Sequence, residues 1–285
     1  MRFITYFLCI LPVLGWNLFP SKTLHKRPVI YVNPWDYKQF RNTKFISTSP
    51  GGIFGFYNLG VATYLLENYD LKNYSFIGAS AGAWTSLFCV FKKNHTEFIQ
   101  KLLAAPIFDN SDSISSLQYE LRNHILNNYN DEDFDLTKLY VCISEINSNR
   151  LQPNIVSNLT TLEKAIDCCI VSSHIPYITS DKLIQTYDEK ISFDGGLFPF
   201  PPKSVYNHFV IHPGKYNLDI NSKMLINLIT NNISSNIVNE LFREGFNDGK
   251  NDKHTLDIIF NPKYNYLNTK DNEFDFGDPF LFYTF

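Results

Sequence analysis

The sequence of 285 residues predicts an α/β fold whose sheet is mostly parallel and is covered by helices on both faces. Short apolar segments, partly β-branched, alternate along the chain with segments of helical periodicity. A hydrophobic fraction of 44% and a charged fraction of 19% fill a packed core easily. No internal repeat or low-complexity linker is visible, so we expect a single domain from about residue 28 onward.

The predicted strands are short and bounded by loops. The strongest is Leu139 to Ile143, a continuous apolar run of the kind buried in parallel sheets. The others are Lys44 to Thr48, Ser75 to Ile77, Ile191 to Phe193 and Phe209 to Ile211. In parallel α/β sheets ligands bind beyond the carboxyl ends of the strands, so the loops that follow these strands are the candidate sites.

Five segments have the apolar spacing of helices. They are Phe56 to Glu67, Ala81 to Phe91, Ile114 to Ile125, Thr160 to Ile170 and Ser222 to Phe242. In the fourth, Thr160 and Glu163 have the spacing of a capping box.

The first candidate loop is a G-x-S-x-G motif between a predicted strand and a predicted helix. Ser80 is flanked by Gly78 and Gly82. So tight a turn requires glycine at both positions, because a side chain there would collide with neighbouring backbone. Such a turn exposes the serine hydroxyl at a helix N-terminus, where the dipole favours developing negative charge. The pattern predicts a nucleophile elbow; an ordinary glycine-rich turn with Ser80 as a cap is the alternative.

The second candidate loop runs from Pro50 to Gly55, again between a strand and a helix. Its small residues leave backbone N–H groups unpaired, as an oxyanion hole requires. Gly51, Gly52 and Ile53 are the candidate donors, whereas Pro50 has no N–H. Alone, this loop could equally bind a phosphate or turn a corner.

The third candidate loop places Asp194 before Gly195 and Gly196, directly after a short strand. Two glycines allow a close approach to another loop, and a partly desolvated Asp194 could accept the proton of Ser80 as a general base. On the residue pattern alone, a common Asp-Gly turn is the preferred interpretation.

Together and in this order, the three loops resemble those of the patatin-like phospholipase family, particularly its animal-type members. The similarity covers about residues 43 to 250 and includes SSHIPYIT (Ser172 to Thr179) and ELFREGFNDG (Glu240 to Gly249). The resemblance implies a three-layer α/β/α sandwich and a Ser–Asp dyad without histidine. Ser80 would be the nucleophile, Asp194 the base and the Pro50 loop the oxyanion site, with no metal or organic cofactor.

Three positions depart from the family pattern. Pro50 stands where the family has the first glycine of its oxyanion loop, and Phe54 where many plant-type members have a basic residue. Phe200 stands where the family has an Asn after its D-G-G. Pro50 and Phe200 bear on the level of activity rather than on the fold.

Three other interpretations remain open. The order Ser80, Asp194, then His208 or His212 also fits the Ser-Asp-His triad of α/β-hydrolases. A catalytically weak lipid-binding protein could keep the elbow for folding reasons. A transacylase would use the same nucleophile with an alcohol or lysolipid as the acceptor.

The resemblance implies a phospholipid or neutral-lipid substrate at a membrane or lipid-droplet surface. The residues do not distinguish phospholipid from triacylglycerol or lysolipid. The formal net charge of −3 provides no electrostatic reason to expect nucleic acid as a partner.

The two ends of the chain are predicted to lie outside the hydrolase domain, which we assign to residues 28 to 250. Residues 1 to 20 are mainly apolar, which suits a membrane anchor or a cleaved signal. Positive charge follows this segment, at Lys22, Lys26 and Arg27, which favours an anchor facing the cytosol over a secretory route. Residues 251 to 285 form an aromatic-rich tail that would suit a lipid interface or an edge strand.

The five cysteines are odd in number and have no spacing typical of a zinc site or a disulfide framework. Cys168 and Cys169 are adjacent in an apolar helical segment, which predicts buried free thiols. The cysteines therefore favour a reducing compartment.

Overall fold

The computed structural model describes the chain in three ranges, residues 43–202, 208–213 and 233–261. The predicted N-terminal segment, residues 1–20, lies outside the described residues. The same is true of residues 262–285 of the C-terminal tail and of the first part of the helix predicted from Ser222.

The chain divides into two compact units. One is Asn33–Leu256, and it contains the whole sheet. Of the other unit, the structure describes only residues 257–261, where the last described helix ends.

The described residues contain seven strands, which include all five predicted ones. In chain order they are β1 (Lys44–Thr48), β2 (Tyr74–Ala79), β3 (Leu139–Asn147), β4 (Arg150–Val156), β5 (Gln185–Tyr187), β6 (Lys190–Phe193) and β7 (His208–Ile211). The sequence pattern missed β4 and β5. Strand β4 contains Pro153, a residue tolerated only at a sheet edge, and its apolar residues Leu151, Ile155 and Val156 do not form a continuous run.

The α-helices follow the predicted order, with additions. They are α1 (Gly55–Asn68), α2 (Ala81–Cys89), α3 (His95–Leu103), α4 (Ile107–Asn110), α5 (Ile114–Asn128), α6 (Leu162–Ser172), α7 (Ser235–Asn251) and α8 (Lys253–Phe260).

Two predicted helix boundaries need correction. Helix α6 is capped by Thr161, whose hydroxyl accepts the N–H of Lys164, and not by Thr160 as the capping-box spacing suggested. Helix α7 begins after the cap Ser234 and continues to Asn251, well beyond the predicted end at Phe242.

The seven strands form one mixed sheet, and its centre is parallel as the sequence predicted. Strand β1 pairs in parallel with β2 and with β7, and β2 pairs in parallel with β3. The antiparallel pairs are β3 with β4, β3 with β6, and β5 with β6. This α/β architecture is consistent with a three-layer α/β/α sandwich.

Strand β3 organises the part of the sheet that carries the candidate residues. Along one edge it pairs with β4 from Val141 to Asn147. Along its other edge it pairs first with β2, as far as Cys142 opposite Ala79, and then with β6, from Ser144 opposite Phe193. The end of β2 and the end of β6 therefore approach each other along the same edge of β3.

Helices α1, α2 and α6 pack together on one face of the sheet. Helix α2 lies against β1, β2 and β3, between α1 and α6. Helix α7 packs closely along α1, where a Cβ at Gly60 would lie 2.0 Å from the carbonyl oxygen of Phe242. The Tyr57 hydroxyl donates to Asp248 across this pair at 2.8 Å.

The opposite face of the sheet has an apolar cluster of Phe45, Ile77, Ala79 and Cys142. Phe200 packs against this cluster together with Tyr140 and Ile155. Phe200, which stands where the resembling family has an Asn, is therefore partly buried against the core of this face.

Four cysteines, Cys89, Cys142, Cys168 and Cys169, are free and buried, which confirms the prediction for the adjacent pair. Cys9 lies outside the described residues. Over residues 43–202, 208–213 and 233–261, no helix combines the length and the apolar character needed to span a bilayer.

Candidate active site

Ser80 lies on a sharp turn between the end of β2 and the start of α2. Its backbone has φ 55° and ψ −127°, a conformation that non-glycine residues rarely adopt and that costs free energy unless the surrounding structure enforces it. The turn is closed by glycines. A Cβ at Gly78 would lie 2.1 Å from the carbonyl oxygen of Gly82, and one at Gly82 would lie 2.0 Å from that of Thr48. This is the geometry that a G-x-S-x-G elbow requires.

The register of β3 brings Asp194 towards this turn. Ala79 pairs with Cys142, so the following residue, Ser80, enters the turn beside Ile143. Phe193 pairs with Ser144 from the opposite direction, so Asp194 also leaves its strand beside Ile143. Two residues distant in sequence thus meet because two strands end at the same point on the edge of a third.

The backbone and one carboxylate oxygen of Asp194 are held by hydrogen bonds. The Asp194 N–H donates to the carbonyl of His174 at 2.9 Å, and the Ser144 hydroxyl donates to the Asp194 carbonyl at 2.7 Å. Oδ1 accepts the N–H of Gly196 at 2.6 Å. Oδ2 is buried and has no partner of normal hydrogen-bond geometry within the described residues. One oxygen is therefore fixed and the other remains available.

The electrostatics of Asp194 suit a proton acceptor. Burial raises the pKa of Asp194 from 3.8 to about 6, while the Ser80 hydroxyl and the Gly196 N–H lower it. The Ser80 hydroxyl thus interacts with the carboxylate, although the two do not form a hydrogen bond of normal geometry. Catalytic hydrogen bonds are often loose before substrate binds and tighten in the reacting complex. A carboxylate with this pKa is mainly ionised at neutral pH and more basic than an exposed aspartate.

Ser172, at the end of α6, stabilises the turn through two hydrogen bonds of its hydroxyl. Its hydroxyl accepts the N–H of Ser80 at 2.8 Å and donates to the carbonyl of Cys142 at 2.6 Å. The side chain thereby satisfies a buried N–H at the strained residue and connects it to β3. The sequence analysis assigned no role to Ser172 or to Ser144, since neither belongs to a local motif.

The Pro50 loop contacts both of the other loops. A Cβ at Gly55 would lie 2.8 Å from the Cβ of Ala81, directly after the elbow serine. A Cβ at Gly196 would lie 2.9 Å from the Cβ of Pro50. The three glycine-rich loops singled out in the sequence therefore converge at one end of the sheet.

The predicted oxyanion donors lie at the start of a short 3-10 helix, Gly52–Phe54. The N–H groups of Gly51, Gly52 and Ile53 make no hydrogen bond to another described residue, whereas that of Phe54 bonds to the Gly51 carbonyl. The N–H of Ala81, at the first position of α2, is equally unpaired within the described part of the chain. Ala81 is therefore a further candidate donor, which the sequence analysis overlooked although the residue after an elbow nucleophile commonly serves in this way.

The histidines of the rival triad lie on β7. His208 begins this strand beside Phe45, towards the end of the sheet away from the elbow. His212 follows Ile211, which pairs with Thr48 of β1. Strand β1 therefore lies between His212 and the end of β2 that leads to Ser80, and the backbones of β7 and β2 are about 10 Å apart. Burial lowers the pKa of His212.

His174 lies beside the candidate dyad and is a histidine that the sequence analysis did not weigh. It is buried, and its ring stacks on Phe193 with centroids 5.8 Å apart, while its carbonyl holds the Asp194 N–H. Burial also lowers the pKa of His174. These contacts give it a role in fixing the strand that ends at Asp194.

Among the described residues, no group of three His, Cys, Asp or Glu side chains is arranged to hold a metal ion. Comparison with known proteins adds no assignment, since no protein-family model and no curated protein matches the chain.

Proposed function

We propose that this protein is a serine acyl hydrolase of the patatin-like type, cleaving carboxylic esters of lipids through a Ser80–Asp194 dyad. The observation that supports this proposal best is the pairing of two unusual features. Ser80 is held in a strained elbow, and the buried Asp194 beside it has one oxygen without another partner and a pKa of about 6. Strain and a perturbed pKa in one place are typical of functional sites.

In the proposed reaction, Asp194 accepts the hydroxyl proton of Ser80 as Oγ attacks the ester carbonyl. The carbonyl oxygen becomes an oxyanion, for which the unpaired N–H groups of Gly51, Gly52, Ile53 and Ala81 are the candidate donors. The tetrahedral intermediate collapses, and the alcohol leaves with the proton held by Asp194.

An acyl-Ser80 ester remains after the first half of the reaction. Asp194 then takes a proton from water, which attacks the acyl carbonyl, and the second tetrahedral intermediate releases the fatty acid. Ser80 recovers its proton from Asp194. One carboxylate can serve both halves because its pKa of about 6 lies near neutral pH.

The lipid character of the substrate rests on the resemblance of the three loops to the patatin-like family. The same resemblance suggests action at a membrane or lipid-droplet surface. A cytosolic location is supported by the four buried free thiols, since a reducing compartment keeps such groups unpaired.

The experiment is fatty-acid release from mixed micelles of phospholipid and triacylglycerol by purified protein. Wild type is compared with Ser80→Ala and Asp194→Asn, and a lysolipid acceptor is added in a parallel series to detect acyl transfer. We expect release by the wild type and background levels from both variants. Equal release by all three would remove Ser80 and Asp194 from the chemistry, and no release by any of them would favour a lipid-binding role.

A further inference from the structure

The segment between α6 and β5 exposes an unusual set of apolar side chains. Tyr177, Leu183 and Ile184 are 63%, 56% and 49% exposed. We call residues 175–184 the apolar loop. Isolated exposed apolar residues are normal, but three within eight positions of one loop call for an explanation.

The apolar loop is directly connected to the candidate dyad. His174, the residue before it, accepts the Asp194 N–H through its carbonyl, and the His174 ring nitrogen Nε2 lies 3.4 Å from the carbonyl of Leu183. Both ends of the loop are thus held at the strand that ends in Asp194. The loop is therefore anchored beside the strand that carries Asp194.

The loop is held in a defined conformation. The Thr179 hydroxyl donates to the Ser173 carbonyl and accepts the N–H of Ile175 at 2.8 Å. The Tyr177 N–H donates to the Ser180 carbonyl at 2.9 Å, which closes the turn with Tyr177 at φ 61°. A tyrosine at positive φ is strained, so the turn holds an exposed aromatic ring in a conformation that its own backbone disfavours.

The chemistry of the loop matches a lipid surface better than a protein groove. The three side chains are each about half exposed or more, and a fluid layer accommodates exposed apolar groups without a complementary cavity. Tyrosine combines an apolar ring with a polar hydroxyl and suits the boundary between head groups and acyl chains. The charged residues of the loop are Asp181 and Lys182, whose opposite charges cancel. The loop therefore has no net positive charge that would favour an anionic surface.

We infer that Tyr177, Leu183 and Ile184 insert into the surface of a zwitterionic phospholipid layer and position the Ser80–Asp194 site at that surface. This inference rests on the proposed function and adds the element by which the enzyme reaches its substrate. It assigns no role in the chemical step to the three side chains.

The test measures hydrogen–deuterium exchange of the full chain, carrying Ser80→Ala to prevent turnover, with and without phosphatidylcholine vesicles. We expect vesicles to slow exchange in residues 175–184, with the same effect at high salt. The triple variant Y177S/L183S/I184S should lose this protection. Tyr119→Ser is the matched control, because Tyr119 is 62% exposed on α5, and it should retain the protection. No protection in the loop, or protection only on vesicles containing phosphatidylserine, would overturn the inference.

Kinetics separate this inference from the proposed function. With an active Ser80, the triple variant should hydrolyse a soluble short-chain ester at the wild-type rate and vesicle phospholipid at least tenfold more slowly. Equal rates on vesicles would contradict the docking role alone. If the wild type cleaves neither substrate, the proposed function fails, while the exchange experiment still decides whether the loop binds lipid.

Discussion

The N–H of Ser80 donates a hydrogen bond to the hydroxyl of Ser172, 2.8 Å away, and that hydroxyl donates in turn to the Cys142 carbonyl. The strained residue of the elbow is thus connected to the central strand by one side chain from a different helix. The contact explains how a serine with φ 55° is kept in position without a glycine at that site.

We predict that Ser172→Ala lowers both stability and activity. It leaves the buried Ser80 N–H without its acceptor, so the free energy of unfolding should fall by about 1–3 kcal/mol. The turnover number should fall about tenfold or more with little change in KM, because the nucleophile rather than substrate binding is disturbed. Denaturant titration and steady-state kinetics measure the two effects.

Ser173→Ala is the control for this prediction. Its hydroxyl is also buried, but it donates only to the carbonyl of Cys169, in the last turn of α6. Wild-type turnover is expected for this control. If both variants lost activity to the same extent, the contact with Ser80 would not be the cause.

The rate should depend on pH through the ionisation of Asp194. A general base must be deprotonated, so kcat/KM for a soluble ester should rise with pH and level off above an apparent pKa of about 6. A pH–rate profile of the wild type measures this limb. A profile that is flat from about pH 5 to pH 8 would argue against an essential base with this pKa.

Neutralising Asp194 should stabilise the fold. Because burial raises its pKa, the folded protein binds this proton more tightly than the unfolded chain does, and the contribution of Asp194 to stability falls as pH rises from about 4 to about 6. Asp194→Asn removes the buried charge and should raise the free energy of unfolding by up to about 3 kcal/mol near pH 8. The gain should vanish near pH 4.

Asp109→Asn is a control of opposite sign for this stability measurement. Hydrogen bonds from the side chain and backbone of Ser235 lower the pKa of Asp109, so its ionised form is favoured in the folded state. Its replacement should not stabilise the protein at neutral pH. Stabilisation by both variants would point to a general effect of net charge and not to burial of Asp194.

Gly82→Ala should prevent the elbow from forming. The added methyl group would lie 2.0 Å from the carbonyl oxygen of Thr48, a contact that only a backbone shift can relieve. We expect insoluble or inactive protein. Gly249→Ala, where the nearest atom is a Tyr64 side-chain carbon at 3.1 Å, should change the stability by about 1 kcal/mol or less. Yield, thermal denaturation and ester hydrolysis compare the two; an active Gly82→Ala protein of normal stability would contradict the elbow geometry.

Replacing the histidines distinguishes a dyad from a triad. His208→Gln and His212→Gln should keep most of the ester hydrolysis, because the proposed mechanism assigns the base to Asp194. Loss on the order of 10³-fold in either variant would identify that histidine as the base of a triad.

The sequence was most informative where the determinants are local. The elbow could be predicted because Gly78, Ser80 and Gly82 are neighbours in the chain, and the strands and helices on either side have clear periodicity. Asp194 could be selected only by family resemblance, since an Asp-Gly-Gly segment by itself is typical of an ordinary turn. Its approach to Ser80 depends on the register of β3, which no local pattern encodes.

The features that the sequence did not reveal all depend on contacts between distant segments. Ser172 and Ser144 act through single hydrogen bonds to other elements, and the serines themselves carry no signal. Strand β4 forms through a tight hairpin at Ser148 and Asn149, both at positive φ, and not through an apolar pattern. The Thr161 cap differs from the predicted Thr160 by one residue, because two adjacent threonines offer equivalent side chains.

The most direct test of the central claim is covalent trapping of Ser80 with a fluorophosphonate probe, followed by peptide mass spectrometry. It requires no knowledge of the natural substrate. We predict a single adduct on the peptide containing Ser80, no adduct in Ser80→Ala, and labelling slowed on the order of 10²-fold or more in Asp194→Asn. An unlabelled protein, an adduct on another serine, or unchanged labelling in Asp194→Asn would contradict the Ser80–Asp194 dyad.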